Sequence, residues 1–171
     1  MMEFLSQSQV GQDAFVHSLI GNSGTFLDIG CGDQNGSNTL ALEWIGWTGV
    51  LVELDSKRAK WCRDNRRSVL IQEDATKINW FHLPRKEFDY LSLDIDDVKG
   101  EDSKIVKVLL DLLDSGFTFK VMTIEHDSYR IGNGTRDVVR AILLTRGYTL
   151  ARADVKCKGN PFEDWWTRCE S

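Results

Sequence analysis

The chain has no C-x-x-C pair. Its four cysteines, Cys31, Cys62, Cys157 and Cys169, are scattered, which argues against a structural zinc site built from paired thiolates. It also has no run of 18 apolar residues and no apolar segment of signal-peptide type near its start. The expectation is a reduced, cytoplasmic setting with no membrane span. Positive charge is scarce: 21 Lys and Arg face 26 Asp and Glu, a net charge of −5. A general nucleic-acid surface usually shows a basic patch, so nucleic acid is not an expected partner. The main basic cluster, residues 57–67, contains Asp64 and reads as the solvated face of a helix. Internal repeats and low-complexity linkers are absent as well. The 171 residues suit a single domain spanning 1–171, with an N-terminal helix in 1–22 and the core in 23–171. A domain of that size buries about 70% of its unfolded surface and needs no disulfide staple.

The most informative stretch is 25–55, TFLDIGCGDQNGSNTLALEWIGWTGVLVELD. An apolar run ends in Asp28, then comes Gly30-Cys31-Gly32, a helical stretch, and a second apolar run ending in Glu53. Strand, glycine turn, helix, strand, acid is the order that holds an adenosine-containing cofactor at the strand ends of an α/β sheet. Glycine lets the backbone turn tightly and approach the ligand, and Cys31 between the two glycines is small. Glu53 lies 53 − 30 = 23 positions after Gly30, where an acid can accept from ribose hydroxyls. To this point NAD and S-adenosylmethionine fit equally. Two details separate them. The spacing is Gly30-x-Gly32-x-x-x-Gly36 rather than G-x-G-x-x-G. Asp28, just ahead of the glycines, would repel a pyrophosphate but can pair with a methionine ammonium. Both favour S-adenosylmethionine.

Apolar spacing lays out the rest of the chain. Helices are expected at 7–20, about 37–46 with Trp44 inward, from Ser56 as N-cap, about 103–115, and about 135–146. Strands are expected at 25–30, 49–54, 68–72, 88–95, 119–126, 148–157 and 162–168. The last two have no helix between them and should pair antiparallel, with one of Trp165 and Trp166 facing the core and the other a cleft or solvent. The alternation implies an α/β fold, a mostly parallel sheet with helices on both faces, and ligands outside the carboxyl ends of its strands.

Every such end carries acid: Asp28 to Asp33, Glu53-Leu54-Asp55, Glu73-Asp74-Ala75, Asp94-Ile95-Asp96-Asp97 and Glu125-His126-Asp127. Asp74 beside small Ala75 suits an adenine edge. Asp94, Asp96, Glu125 and His126 would converge if strands four and five are neighbours. Two chemistries stay open there. Oxygen ligands with one imidazole suit Mg²⁺ or Mn²⁺, which would lower the pKa of a bound acceptor hydroxyl. Alternatively His126 acts alone as general base.

Several segments resemble a known family. They are Gln9-Val10-Gly11-Gln12-Asp13, FLDIGCGD at 26–33, SNT at 37–39, GWTGVLVEL at 46–54, FDYLSLDID at 88–96, TIEHDSYR at 123–130, GY at 147–148 and FEDWW at 162–166. In that order they are similar to class I S-adenosylmethionine-dependent methyltransferases, in particular the FkbM-type group. The resemblance implies a Rossmann-like three-layer αβα sandwich with seven strands in the order 3-2-1-4-5-7-6. It implies cofactor contacts by Asp28, Gly30, Gly32, Glu53, Asp74 and Ala75, which Cys31 and Leu54 complete, and acceptor or metal residues at Asp94, Glu125 and His126. It also implies O-methylation of a hydroxylated small molecule, such as a sugar, with oligomers allowed. Where relatives often show D-x-E-G, this chain has Asp94-Ile95-Asp96-Asp97. It has no N-P-P-Y-like motif for planar amino groups. An NAD-dependent oxidoreductase, or a non-catalytic cofactor-binding subunit needing a partner protein, are the rival expectations.

Overall fold

A computed structural model describes residues 4–169. Seven strands form one sheet in the order β3-β2-β1-β4-β5-β7-β6. They are β1 Thr25–Ile29, β2 Thr48–Val52, β3 Val69–Ile71, β4 Glu87–Leu93, β5 Thr118–Glu125, β6 Tyr148–Cys157 and β7 Asn160–Arg168. The first five pair in parallel, and β7 runs antiparallel to both β5 and β6. The expected order and the antiparallel last strand are therefore both present. The β6–β7 connection is tighter than expected. Lys158 and Gly159, with φ of 51° and 86°, form a two-residue turn whose left-handed residues match the twist of a hairpin.

Successive side chains on a strand point to opposite faces, and both faces are covered. On one side Phe26, Leu51, Tyr90 and Val121 pack with Val16 of α1 (Gln12–Ile20), Leu42 of α2 (Leu40–Trp44) and Cys62 of α3 (Ser56–Asn65). On the other, Leu27, Ile29, Leu91, Leu93, Met122 and Ile124 meet α4 (Lys104–Asp114) and α6 (Gly134–Thr145). Helix α4 buries Ile105, Val108, Leu109, Leu112 and Leu113, the stripe its spacing predicts. Trp165 and Trp166 are both buried, so neither faces solvent. Trp166 joins the α4–α6 core, and Trp165 packs against Phe15 of α1 on the opposite face, with ring centroids 4.6 Å apart.

Local chemistry moved several boundaries. Helix α1 starts at Gln12 because the preceding segment wraps the buried Asp13 carboxylate, which accepts from Ser6 Oγ, Gln7 N and Ser8 Oγ at 2.5–2.6 Å. Helix α2 is only five residues long, and Trp44 is exposed rather than inward. The N-cap of α3 is Asp55, not Ser56. Its Oδ1 accepts from Lys57 N and Arg58 N, both at 2.9 Å, and a carboxylate also suits the positive end of the helix. Residues 75–77 and 80–82 form 3₁₀ turns. Among the described residues no helix is long and apolar enough to cross a membrane.

Candidate cofactor cleft

From β1 the chain steps outward to β2 and β3, then returns to β4 on the other side of β1. The helices after β1 and β4 leave on opposite faces, so a crevice opens at the carboxyl ends of these strands. A cleft of about 710 Å³ lies there. Asp28, Gly30, Cys31, Gly32, Glu53, Leu54, Asp74 and Ala75 all line it, together with Asp94. So do Gln9, Asn38, Arg58 and Lys104, to which no ligand contact is assigned from the sequence. Gln9 and Asn38 stand only in resembling segments.

Gly30 shows why the turn needs glycine. Its φ is 78°, and a Cβ would stand 1.8 Å from the carbonyl oxygen of Asp94, so any side chain would separate β1 from β4. Gly30 N and Cys31 N both donate to Val52 O, at 2.9 and 3.2 Å, tying the turn to β2. Glu53 braces it further. One of its oxygens accepts from Gly32 N at 2.9 Å and the other from Asp55 N at 2.8 Å. Asp74 Oδ1 accepts from Thr76 N and Thr76 Oγ1, so the same carboxylate that shapes the turn after β3 keeps Oδ2 toward Lys77.

Asp28 is 1% exposed. Thr39 Oγ1 donates to its Oδ2 at 2.5 Å and in turn accepts from Arg66 Nη2 at 2.9 Å. Arg66 is itself paired with buried Glu43, Nε to Oε2, at 2.5 Å. Burial pushes the Asp28 carboxyl up from 3.8 to about 6, against the lowering pull of Thr39 and Arg66. A carboxylate with so little compensation suits a cation arriving from the cleft.

At the β4 and β5 ends Asp94 and Glu125 form one unit. Burial raises both carboxyls, and each stands close enough to act on the other. Asp94 faces the cleft; Glu125 does not line it. The expected convergence of Asp94, Glu125 and His126 as a metal set does not form. His126 directly follows Glu125 at the end of an extended strand, and the two side chains take opposite faces. Its ring is buried on the α6 side, with Nε2 3.6 Å from Asp164 Oδ1. Nδ1 accepts from Ser128 N at 3.2 Å.

His126, Asp154 and Asp164 do bring ligand atoms together, but the arrangement does not fit a metal ion. Arg140 forks onto Asp164 at 2.7 and 2.9 Å. Arg140 and Arg136 also hold Asp154, at 3.1 and 3.2 Å. Two guanidiniums already occupy the carboxylates that a cation would need. Asp97, one of the strand-end acids, is structural too. Its carboxylate accepts from Lys104 N, Ser103 Oγ and Thr135 Oγ1 and so ties the β4 loop to α4 and α6.

The residues lining the cleft fit S-adenosylmethionine. The glycine cradle admits close backbone approach, Glu53 and Asp74 offer acceptors at the β2 and β3 ends, and Asp28 lies at the β1 end. No family model matches this chain, and no curated protein sequence does. Solved structures do match in fold. A TehB-like S-adenosylmethionine-dependent methyltransferase from Corynebacterium glutamicum aligns with a TM-score of 0.66 at 14% identity, over 93% of this chain and 88% of that one. Magnesium protoporphyrin IX methyltransferase from Synechocystis, solved with bound S-adenosylmethionine, aligns with a TM-score of 0.63 at 14% identity, over 92% and 76%. A candidate RNA methyltransferase from Pyrococcus horikoshii aligns with a TM-score of 0.65 at 11% identity, over 95% and 84%. The chain shares the Rossmann-like fold of these methyltransferases.

Proposed function

We propose that this protein is an S-adenosylmethionine-dependent methyltransferase of FkbM type that methylates a hydroxyl on a small molecule, with a sugar as the leading acceptor class. One observation carries the reading: the glycine turn, Glu53, the Asp74-Ala75 pair and Asp94 line a single cleft at the carboxyl ends of β1 to β4. S-adenosylmethionine supplies an electrophilic methyl group on its sulfonium when bound.

The chain's own residues do the rest. Glu53 holds ribose hydroxyls, Asp74 and Ala75 take the adenine edge, and Asp28 takes the ammonium. Asp94 accepts the proton of the acceptor hydroxyl, with the Glu125 carboxyl beside it at the end of β5. His126 has no part in this reading, because its ring is buried on the far face of β5. The cleft wall is dominated by carboxylates, with Arg58 and Lys104 the basic side chains in it. That wall suits a neutral acceptor and repels a polyphosphate backbone. Buried Asp28 likewise disfavours the pyrophosphate of NAD.

Titration calorimetry with S-adenosylhomocysteine and NAD tests the cofactor. Micromolar binding of the first and none of the second is expected; the reverse would overturn the reading. Methyl transfer to a panel of hydroxylated small molecules, with structured RNA as a parallel acceptor, tests the substrate class. Asp94→Asn should reduce turnover by roughly 10²- to 10⁴-fold, the usual contribution of a general base, with cofactor affinity unchanged. Full turnover in that variant, or transfer to RNA alone, would remove the hydroxyl mechanism.

A further inference from the structure

Residues 37–39, SNT, stand in the loop between the glycine turn and α2. Two of the three are engaged within the protein. Ser37 Oγ accepts from Leu40 N at 3.2 Å and from Arg66 Nη1 at 3.4 Å. Thr39 Oγ1 joins Asp28 to Arg66. Asn38 is different. It lines the cleft and is 6% exposed. Its Nδ2 donates to Ser92 Oγ at 3.1 Å, but its Oδ1 is buried with no partner. With Nδ2 committed to Ser92 Oγ, Oδ1 is the polar atom of the amide left over. An orphaned buried acceptor is costly unless a ligand supplies a donor.

The geometry points to Asn38 Oδ1 as the second acceptor, beside Asp28, for the ammonium of the cofactor's amino-acid end. The inference rests on the cofactor reading above and deepens it. Strand order narrows the choice of donor. Adjacent strands lie about 4.8 Å apart, and the sheet runs β3, β2, β1, β4. The adenine residues sit at the β3 end and the ribose acid at the β2 end. Asn38 is tied to Ser92 of β4, which pairs in register with Asp28 of β1. The donor arriving between these two strands is therefore the group farthest from adenine. A methionine carboxylate has no proton to give, whereas an ammonium has three. A carboxylate and an amide oxygen together accept two of them, with the positive charge against Asp28.

The test compares three ligands by titration calorimetry. S-adenosylhomocysteine and decarboxylated S-adenosylmethionine keep the ammonium; 5′-methylthioadenosine lacks it. Asn38→Leu should weaken the first two by roughly 10- to 100-fold, as expected for one hydrogen bond to a charged group. Binding of 5′-methylthioadenosine should stay within about 3-fold and so report an intact fold and nucleoside site. Asn38→Asp restores an acceptor while removing the donor to Ser92, and should bind the ammonium-bearing ligands at least as well as the wild type. Equal weakening of all three ligands by Asn38→Leu, or no weakening, would overturn the assignment. So would an Asn38→Asp variant as impaired as Asn38→Leu, because the bond to Ser92 would then be what matters. Wild-type protein that binds none of the three overturns the cofactor reading itself. Wild type that binds all three with Asn38→Leu unaffected overturns only the role of Asn38.

Discussion

Replacing Asp28 with asparagine should stabilise the cofactor-free protein at neutral pH while impairing cofactor binding. The carboxyl is held at about 6 rather than 3.8 by burial. A group whose folded pKa exceeds its unfolded value binds more protons when folded, so stability falls as pH rises between the two values. The cost is absent below about pH 4, grows to about pH 6, and is complete above that. A rise from 3.8 to about 6 corresponds to about 3 kcal/mol. Asparagine keeps an oxygen for Thr39 Oγ1 and offers its amide to Ser92, and it carries no charge to bury. Urea unfolding between pH 4 and 8 reads the effect. Other buried acids, Glu163 among them with its carboxyl pushed to about 8 by burial, contribute to both proteins and cancel in the difference. The variant should gain up to about 3 kcal/mol over the wild type at pH 7, with the gain vanishing near pH 4. Affinity for S-adenosylhomocysteine should fall at the same time. A variant that is less stable at pH 7, or a stability difference that does not change with pH, would refute the reasoning.

Two other substitutions test the frame around the cleft. Gly30→Ala places a Cβ 1.8 Å from Asp94 O at a φ of 78°. The left-handed backbone alone costs about 1–2 kcal/mol and the clash adds to it, so thermal unfolding should come earlier and S-adenosylhomocysteine binding should be lost; an unchanged affinity would contradict the close approach. His126→Ala removes a buried ring that is 1% exposed and should destabilise by about 2–4 kcal/mol, roughly 5–15 °C in Tm for a chain of this length. Turnover of the folded variant should stay near wild type, and a large loss of kcat at unchanged Tm would return His126 to the chemistry.

The fold was legible because its signals are local. The α4 stripe and the glycine turn after β1 each follow from short-range periodicity and backbone freedom. What escaped was set by side-chain partners. Asp55 rather than Ser56 caps α3, because its carboxylate takes Lys57 N and Arg58 N while Glu53 Oε1 holds its own N–H. Trp44 turned outward when α2 shortened to five residues, since residues 37–39 are held in a loop by Asp28, Arg66 and Ser92. That loop depends on Arg66, which lies 27 positions after Thr39 and pairs with it at 2.9 Å; no windowed pattern records such a partner. The burial of both Trp165 and Trp166 has the same origin. Alternation places them on opposite faces, but only the packing of α1 and α6 decides that both faces are covered.

That Asp28 to Gly32, Glu53-Leu54 and Asp74-Ala75 line one cleft was readable because each sits at a strand end in a turn of recognisable chemistry. Which of the other strand-end acids meet was not, because five strand ends rich in acid look alike in one dimension. Strand alternation separates them. Asp28, Ser92, Asp94, Glu125 and Glu163 share one face of the sheet, where Gln12 of α1 and the cleft meet them. Asp164 and His126 project from the other face, where Arg140 of α6 neutralises the acid. On the cleft face burial raises the Asp28, Asp94, Glu125 and Glu163 carboxyls. On the opposite face Arg140 forks onto Asp164 and pulls it well below its usual range. Uncompensated charge is destabilising in the free protein, and stability is commonly given up at sites that bind or react. The contrast between neighbouring Glu163, raised by burial, and Asp164, lowered beside Arg140, shows that partners rather than the count of acids distinguish the strand ends.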